Sequence, residues 1–163
     1  AHNALFLPFA VSLACVSLVA WLGIRLTDLG PWYRSLKQPA WKPADKWFGP
    51  IWSTIFLLMS FAMALAWVEA ATPRDKALLV GAFVLNCLLN VLWNLLFFSW
   101  RRPDWAQWEV IALWGSIVAL MSVIGSVHPW AFALLAPYLV WVTLAGLLNR
   151  SIVLANGPFT VQR

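Results

Sequence analysis

Polar residues are so sparse along this chain that its apolar positions merge into five long runs. A helix that crosses a bilayer needs roughly 20 mainly apolar residues, and runs of that length lie near 4–26, 49–70, 77–100, 105–127 and 130–155. Charges hardly interrupt them: Arg25, Glu69 and Glu109 fall near run ends, and Arg150 in the last turns of the fifth. The runs are continuous and do not alternate over about 10 residues, so they carry no barrel signal. The pattern predicts an all-α membrane protein, a single domain over 1–163 built as a five-transmembrane-helix bundle.

Composition agrees. Hydrophobic residues make up 63% of the chain and charged residues 10%, against about 25% charged in soluble domains. Such a chain cannot cover a water-facing surface. The first run has no basic residue before it and exceeds a 7–15-residue signal core, so it is expected to remain as a span.

The charge balance adds an orientation. With five spans, Arg25, Arg34, Lys37, Lys42, Lys46, Arg101, Arg102, Arg150 and Arg163 share one side, and Arg74 and Lys76 the other. The positive-inside rule then places the N-terminus outside and the C-terminus in the cytoplasm. The +5 net charge belongs to short loops beside the spans, so no nucleic-acid partner is expected. Cys15 and Cys87 lie in apolar runs as small hydrophobes. His2 and His128 have no carboxylate or cysteine cluster to complete a metal site. No phosphate loop, dinucleotide fingerprint or Ser-His-Asp arrangement occurs. Neither metal nor cofactor is expected.

Thirteen tryptophans carry the functional information. Most fall at predicted span ends, where an interfacial aromatic belt accounts for them. Trp93, Trp114 and Trp141 lie deeper, and Trp52 sits one turn into its span. The segment 27–48 between the first two spans, TDLGPWYRSLKQPAWKPADKWF, holds three prolines, which break long helix. Its aromatics need cover, so it reads either as a lid folded onto the bundle or as belt with snorkelling basic residues.

Asn86, Asn90 and Asn94 repeat every four residues and share one helix face, with Trp93 and Phe97 beside them. Amides in hydrocarbon either bond neighbouring helices or line a cavity. Tyr138, Trp141, Ala145 and Asn149 share a face of the fifth span, and Trp52, Phe56 and Met63 a face of the second. These stripes either form ordinary core or converge on a pocket for a flat, hydrophobic, carboxylate-bearing ligand.

Three segments carry a family resemblance. Pro31-Trp32-Tyr33…Leu36…Pro39-Ala40-Trp41-Lys42-Pro43…Phe48…Trp52, Asn90-Val91-Leu92-Trp93…Phe97-Phe98, and Pro137-Tyr138-Leu139-Val140-Trp141…Ala145…Leu148-Asn149 resemble the TspO/MBR family of tryptophan-rich sensory and translocator proteins, in order and over nearly the whole chain. The resemblance implies a five-helix membrane protein, often a dimer, with a ligand pocket inside the bundle beneath the first loop. It implies tetrapyrrole ligands such as protoporphyrin IX or haem-type molecules, and sterols in some members. Trp52 and Trp141 match tryptophans implicated in binding and in light-dependent porphyrin breakdown. Tyr33 and Pro43 match loop residues that close the pocket, with Trp41 in the same motif. Asn86, Asn90 and Trp93 match third-helix lining positions; Phe97, Tyr138 and Ala145 complete the ligand-binding set with Phe56, where the family often has tyrosine. Two further departures are Ala44, where a second proline is frequent, and the absence of Lys or Arg within five residues after Tyr138, which removes the fifth-helix sterol motif.

The expected function is a receptor or sensor that binds tetrapyrroles or other flat hydrophobic molecules, with membrane lipid and a second copy as further partners. The alternatives are a light-dependent porphyrin-degrading enzyme and a transporter of porphyrin or sterol-like amphiphiles. No general acid–base pair stands out for hydrolytic or transfer chemistry. The expected location is a bacterial cytoplasmic membrane, with the mitochondrial outer membrane as the alternative.

Overall fold

The computed structural model describes residues 3–159, so Arg163 and His2 lie outside the described residues. Within that range the chain is helical, without strands. Helices α1 (Asn3–Leu26), α3 (Phe48–Glu69), α4 (Pro73–Asn94), α5 (Pro103–Val127) and α6 (Ala136–Asn156) are the long ones, and α2 (Pro31–Ser35) is a single short turn between the first two. Five segments are long and apolar enough to cross a membrane: Ala4–Leu26, Asp45–Glu69, Pro73–Ser99, Pro103–Val127 and Ala131–Asn156. This is a multi-pass membrane protein.

Two helices start earlier than hydropathy indicates, each at a proline. Thr72 precedes α4, and its side-chain oxygen accepts a hydrogen bond from the Asp75 amide at 3.1 Å. Pro73 then takes the first helical position, where its missing N–H costs nothing. Pro103 opens α5 in the same way. These first turns are polar, so an apolar-run criterion passes over them.

α4 ends in an irregular way that shapes the interior. Leu95–Ser99 form a π-helical turn, closed by Trp100 N–H donating to the Leu95 carbonyl at 2.9 Å. The extra residue per turn brings three consecutive side chains inward, and Leu96, Phe97 and Phe98 are all buried. Such bulges recur at functional sites. Arg101 follows in the left-handed region at φ 54°, and the Arg102 N–H reaches back to the Leu96 carbonyl at 2.9 Å, which satisfies an end carbonyl.

The two halves of the bundle differ. α1 packs along α3, α4 along α5 and α5 along α6, and a 3₁₀ turn (Ala131–Leu135) wedges against α3 and α5. In that far half Ala62, Ala66, Leu79, Ile117, Leu120, Ile124, Ala131 and Leu135 have no exposed surface. The near half, where segment 27–48 lies, holds a second cluster of Tyr33, Leu96, Phe97, Phe98, Ala106 and Ile152. Segment 27–48 is tied to the end of α6: the Lys37 amide donates to Asn156 Oδ1 at 2.7 Å, and Asn156 Nδ2 donates to the Lys37 carbonyl at 2.9 Å.

Most tryptophans stand on the outside. Trp21, Trp41, Trp47, Trp100, Trp105, Trp108 and Trp130 are exposed. Basic groups lie over several rings, with Lys76 4.8 Å from the Trp67 centroid and Arg102 4.1 Å from that of Trp105. Trp114, deep in α5, also faces outward, and its indole N–H donates to Thr143 Oγ1 at 3.0 Å. That bond on α6 satisfies its polar atom in an apolar setting.

Candidate functional site

The near half encloses a cavity of about 580 Å³, within the usual range of small-molecule sites. Each wall comes from one face of one element. α1 supplies Val19, Ala20, Gly23, Ile24 and Thr27, spaced three and four residues apart along one stripe. α3 supplies Phe48, Gly49, Trp52, Ser53 and Phe56, and the end of α4 supplies Asn90, Trp93, Asn94, Phe97 and Phe98. α6 supplies Trp141, Leu144, Ala145, Leu148 and Asn149. Tyr33, Pro43 and Asp45 of the intervening segment line the cavity from above.

Aromatic contacts hold these walls in register. Trp52 meets Trp141 edge to face, with ring centroids 6.5 Å apart, and Phe48 meets Trp141 at 5.6 Å. Trp52 also touches Phe56 at 5.4 Å. On the α4 side Trp93 stacks on Phe97 at 5.1 Å. Two aromatic faces therefore stand on different walls of one space.

Of the residues singled out from sequence, Tyr33, Pro43, Trp52, Phe56, Asn90, Trp93, Phe97, Trp141 and Ala145 line the cavity. Trp41, Asn86 and Tyr138 do not. Trp41 is 49% exposed. Asn86 and Tyr138 are fully buried one layer deeper, in a hydrogen-bonded chain. Asn90 Nδ2 donates to the Tyr138 hydroxyl at 3.0 Å, which donates to Asn86 Oδ1 at 3.1 Å. Asn86 Nδ2 donates to Ser116 Oγ at 3.0 Å, and Ser116 to the Leu113 carbonyl at 2.7 Å. The amide ladder of α4 thus divides: Asn86 bonds between helices, Asn94 borders the cavity, and Asn90 does both.

Several lining residues lay outside the sequence-derived set: Phe48, Asn94, Asn149, Phe98 and the α1 stripe. Asn149 was visible as a member of the Tyr138–Trp141–Ala145 face. Its Nδ2 donates to the Pro103 carbonyl at 2.8 Å and to Gln107 Oε1 at 2.9 Å, which binds α6 to α5. The α1 stripe carries no polar or aromatic signal apart from Thr27, so composition gives no reason to choose it.

The upper edge of the cavity is electrostatically tied. Lys42 Nζ lies 2.7 Å from Asp45 Oδ1, and the Tyr33 hydroxyl donates to the same oxygen at 3.1 Å. Lys42 Nζ also sits 5.5 Å from the Tyr33 ring centroid and 5.9 Å from that of Phe48. Burial raises the Tyr33 pKa, opposed by Lys42 and reinforced by Asp45. Burial by itself lowers that of Lys42, but hydrogen bonds to Asp45 and Tyr33 outweigh it and the net shift is upward. The three groups hold Lys42 as a cation and Tyr33 as a neutral phenol at neutral pH. Among the described residues no group of three His, Cys, Asp or Glu could hold a metal ion.

Comparison with known proteins places this arrangement. The TspO/MBR family matches residues 9–154. Protein CrtK of Rhodobacter capsulatus is 33% identical over 149 residues, covering 91% of this chain and 90% of that one. The translocator protein of Bos taurus is 34% identical over 136 residues, covering 82% and 80%. The tryptophan-rich sensory protein of Cereibacter sphaeroides is 32% identical over 147 residues, covering 90% and 87%.

Proposed function

The chain belongs to the TspO/MBR family, and from that premise we propose that it is a membrane receptor or sensor binding a tetrapyrrole in the near-half cavity. The observation that carries this reading is the cavity itself: about 580 Å³, walled by Trp52, Phe56, Trp93, Phe97 and Trp141. A flat conjugated ring gains dispersion and offset stacking from such faces. The segment bearing Tyr33, Pro43 and Asp45 acts as the lid, and its basic residues attract the carboxylates of the ligand. The positive-inside asymmetry puts this lid and the C-terminus in the cytoplasm.

A second reading, light-driven breakdown of bound porphyrin with dioxygen as the oxidant, is favoured by one feature. Trp52 and Trp141 touch each other and both border the cavity, so either indole could exchange an electron with an excited ring.

The test is a protoporphyrin IX titration of detergent-purified protein, read by tryptophan fluorescence quenching, in darkness and then under light. Saturable quenching with stable porphyrin bands supports the receptor. Light-dependent loss of those bands, abolished in Trp52→Phe and Trp141→Phe, assigns turnover. Absence of saturable quenching rejects the tetrapyrrole.

A further inference from the structure

The cavity is not equally closed on all sides. Toward α6 the Phe48–Trp141 and Trp52–Trp141 contacts bridge the walls. Toward α4 the wall is Trp93 stacked on Phe97, and above lie Tyr33 and Pro43. On α6 Leu144 lines the cavity and is exposed, but more exposed lining gathers at the near ends of α1 and α3. Ile24 lines the cavity and is 74% exposed, and Gly49 and Ser53 line it and are exposed. A β-carbon placed on Gly49 would meet no atom within 4 Å. All three lie in segments long and apolar enough to cross a membrane.

Charge at the same level is uneven. Arg25 adjoins Ile24 in sequence, and Lys46 precedes Gly49 by three residues; both are exposed. Arg25 lies 5.5 Å from the Trp21 centroid, and Lys46 5.4 Å from that of Trp47. Of the nearby carboxylates, Asp45 is occupied by Lys42 and Tyr33, and Asp28 accepts the Gly30 amide at 2.9 Å. The balance around the gap is positive, as an anionic headgroup at the membrane surface would require.

We propose that the exposed lining at the near ends of α1 and α3, which pack together farther along, is a lateral portal, through which the apolar body of an anionic amphiphile passes from the lipid leaflet into the cavity while its head stays near Arg25 and Lys46. The inference rests on the cavity being a ligand site. It also explains why an exposed glycine and serine sit beside an indole-lined space: small side chains leave the passage open.

The experiment is stopped-flow addition of 1-pyrenebutanoic acid to proteoliposomes, read by tryptophan quenching, with 1-pyrenebutanol as the neutral analogue. Ser53→Leu and Gly49→Leu narrow the portal and should slow both entry and release by about tenfold, equal to about 1.4 kcal/mol of barrier. Ile24→Ala should speed both. Simple loss of a ligand contact would instead speed release and leave entry alone. Arg25→Ala combined with Lys46→Ala should slow entry of the acid several-fold and spare the alcohol. Saturable quenching with entry unchanged in both leucine variants overturns the portal and leaves the binding site standing. So does slowing by Leu144→Phe on α6 alone, or acceleration by Asp45→Ala with no response to Ser53→Leu, which would place entry under the lid. No saturable quenching in the wild type by either pyrene, or by protoporphyrin IX, overturns portal and site together.

Discussion

Trp52 and Trp141 stand edge to face across the cavity, their ring centroids 6.5 Å apart and their planes at 89°. They come from α3 and α6, which are linked here by aromatic contacts, with Phe48 also against Trp141. The pair does two things at once: it closes one side of the cavity and presents indole surface to its interior. Substitution at either position therefore acts on wall and contact together.

Trp52→Phe and Trp141→Phe should each weaken dark protoporphyrin IX binding by about two- to tenfold. An edge-to-face pair is worth about 0.5–1.5 kcal/mol. Because the two rings share one contact, the double variant should lose less than the sum of the singles. Equilibrium titration of all three variants checks this, and strict additivity would contradict a shared contact.

Ala145→Phe should impair binding more than either tryptophan change. Ala145 lines the cavity and is half-buried on α6, so a phenyl ring there occupies ligand volume. Forcing a ligand against that ring costs about 1–3 kcal/mol, roughly 5- to 150-fold in affinity. Binding measured beside thermal unfolding separates occlusion from misfolding. Wild-type affinity in this variant would place the ligand elsewhere.

Tyr138→Phe tests the deeper layer. The change removes one hydroxyl and leaves Asn90 Nδ2 and Asn86 Oδ1 without their partner. Unpaired buried polar groups cost about 1–3 kcal/mol, so thermal stability should fall clearly. Tyr138 does not border the cavity, and its effect on binding should follow stability. Large affinity loss in a variant of undiminished stability would return Tyr138 to the ligand site.

The tie among Tyr33, Lys42 and Asp45 predicts a pH dependence. Folding raises the pKa of both Tyr33 and Lys42. The stabilisation this gives is fully present below their unfolded values, near 10, and is lost as pH rises through the folded ones. Hydrogen exchange across 33–45 should stay protected up to about pH 10 and rise above it. In Asp45→Ala the exchange should be faster already at pH 7. Loss of protection between pH 6 and 8 in the wild type would rule out this tie as what fastens segment 27–48.

Much of the fold was legible because bilayer chemistry is coarse: long apolar runs need only be long, and the five spans follow from length alone. The helix starts at Pro73 and Pro103 were hidden, since caps and N1 prolines speak through polar residues that hydropathy averages away. The π-turn at Leu95–Ser99 was illegible for another reason. It turns three consecutive side chains inward, which no helical period predicts. Among candidate site residues a shared helix face was not sufficient: Trp141 and Ala145 reach the cavity, and Tyr138 on the same face does not. Asn86 shares a face with Asn90, but depth along the helix places it among Tyr138 and Ser116. Trp114 shows the reverse: depth suggested a special role, and a bond to Thr143 accounts for its N–H.

The sealed half of the bundle has a consequence for traffic. On the far side Ala62, Ala66, Leu79, Ile117, Leu120, Ile124, Ala131 and Leu135 have no exposed surface, and the cavity walls lie in the near half. In this conformation the cavity is a blind alley and not a corridor: a guest entering the near half would meet packed side chains beyond it. A cargo could cross only if Leu120, Ile124 and the wedge at Ala131–Leu135 came apart, which would open the best-packed part of the molecule. If the cavity is a ligand site, this geometry predicts exchange of the guest at the near half, where every cavity wall lies.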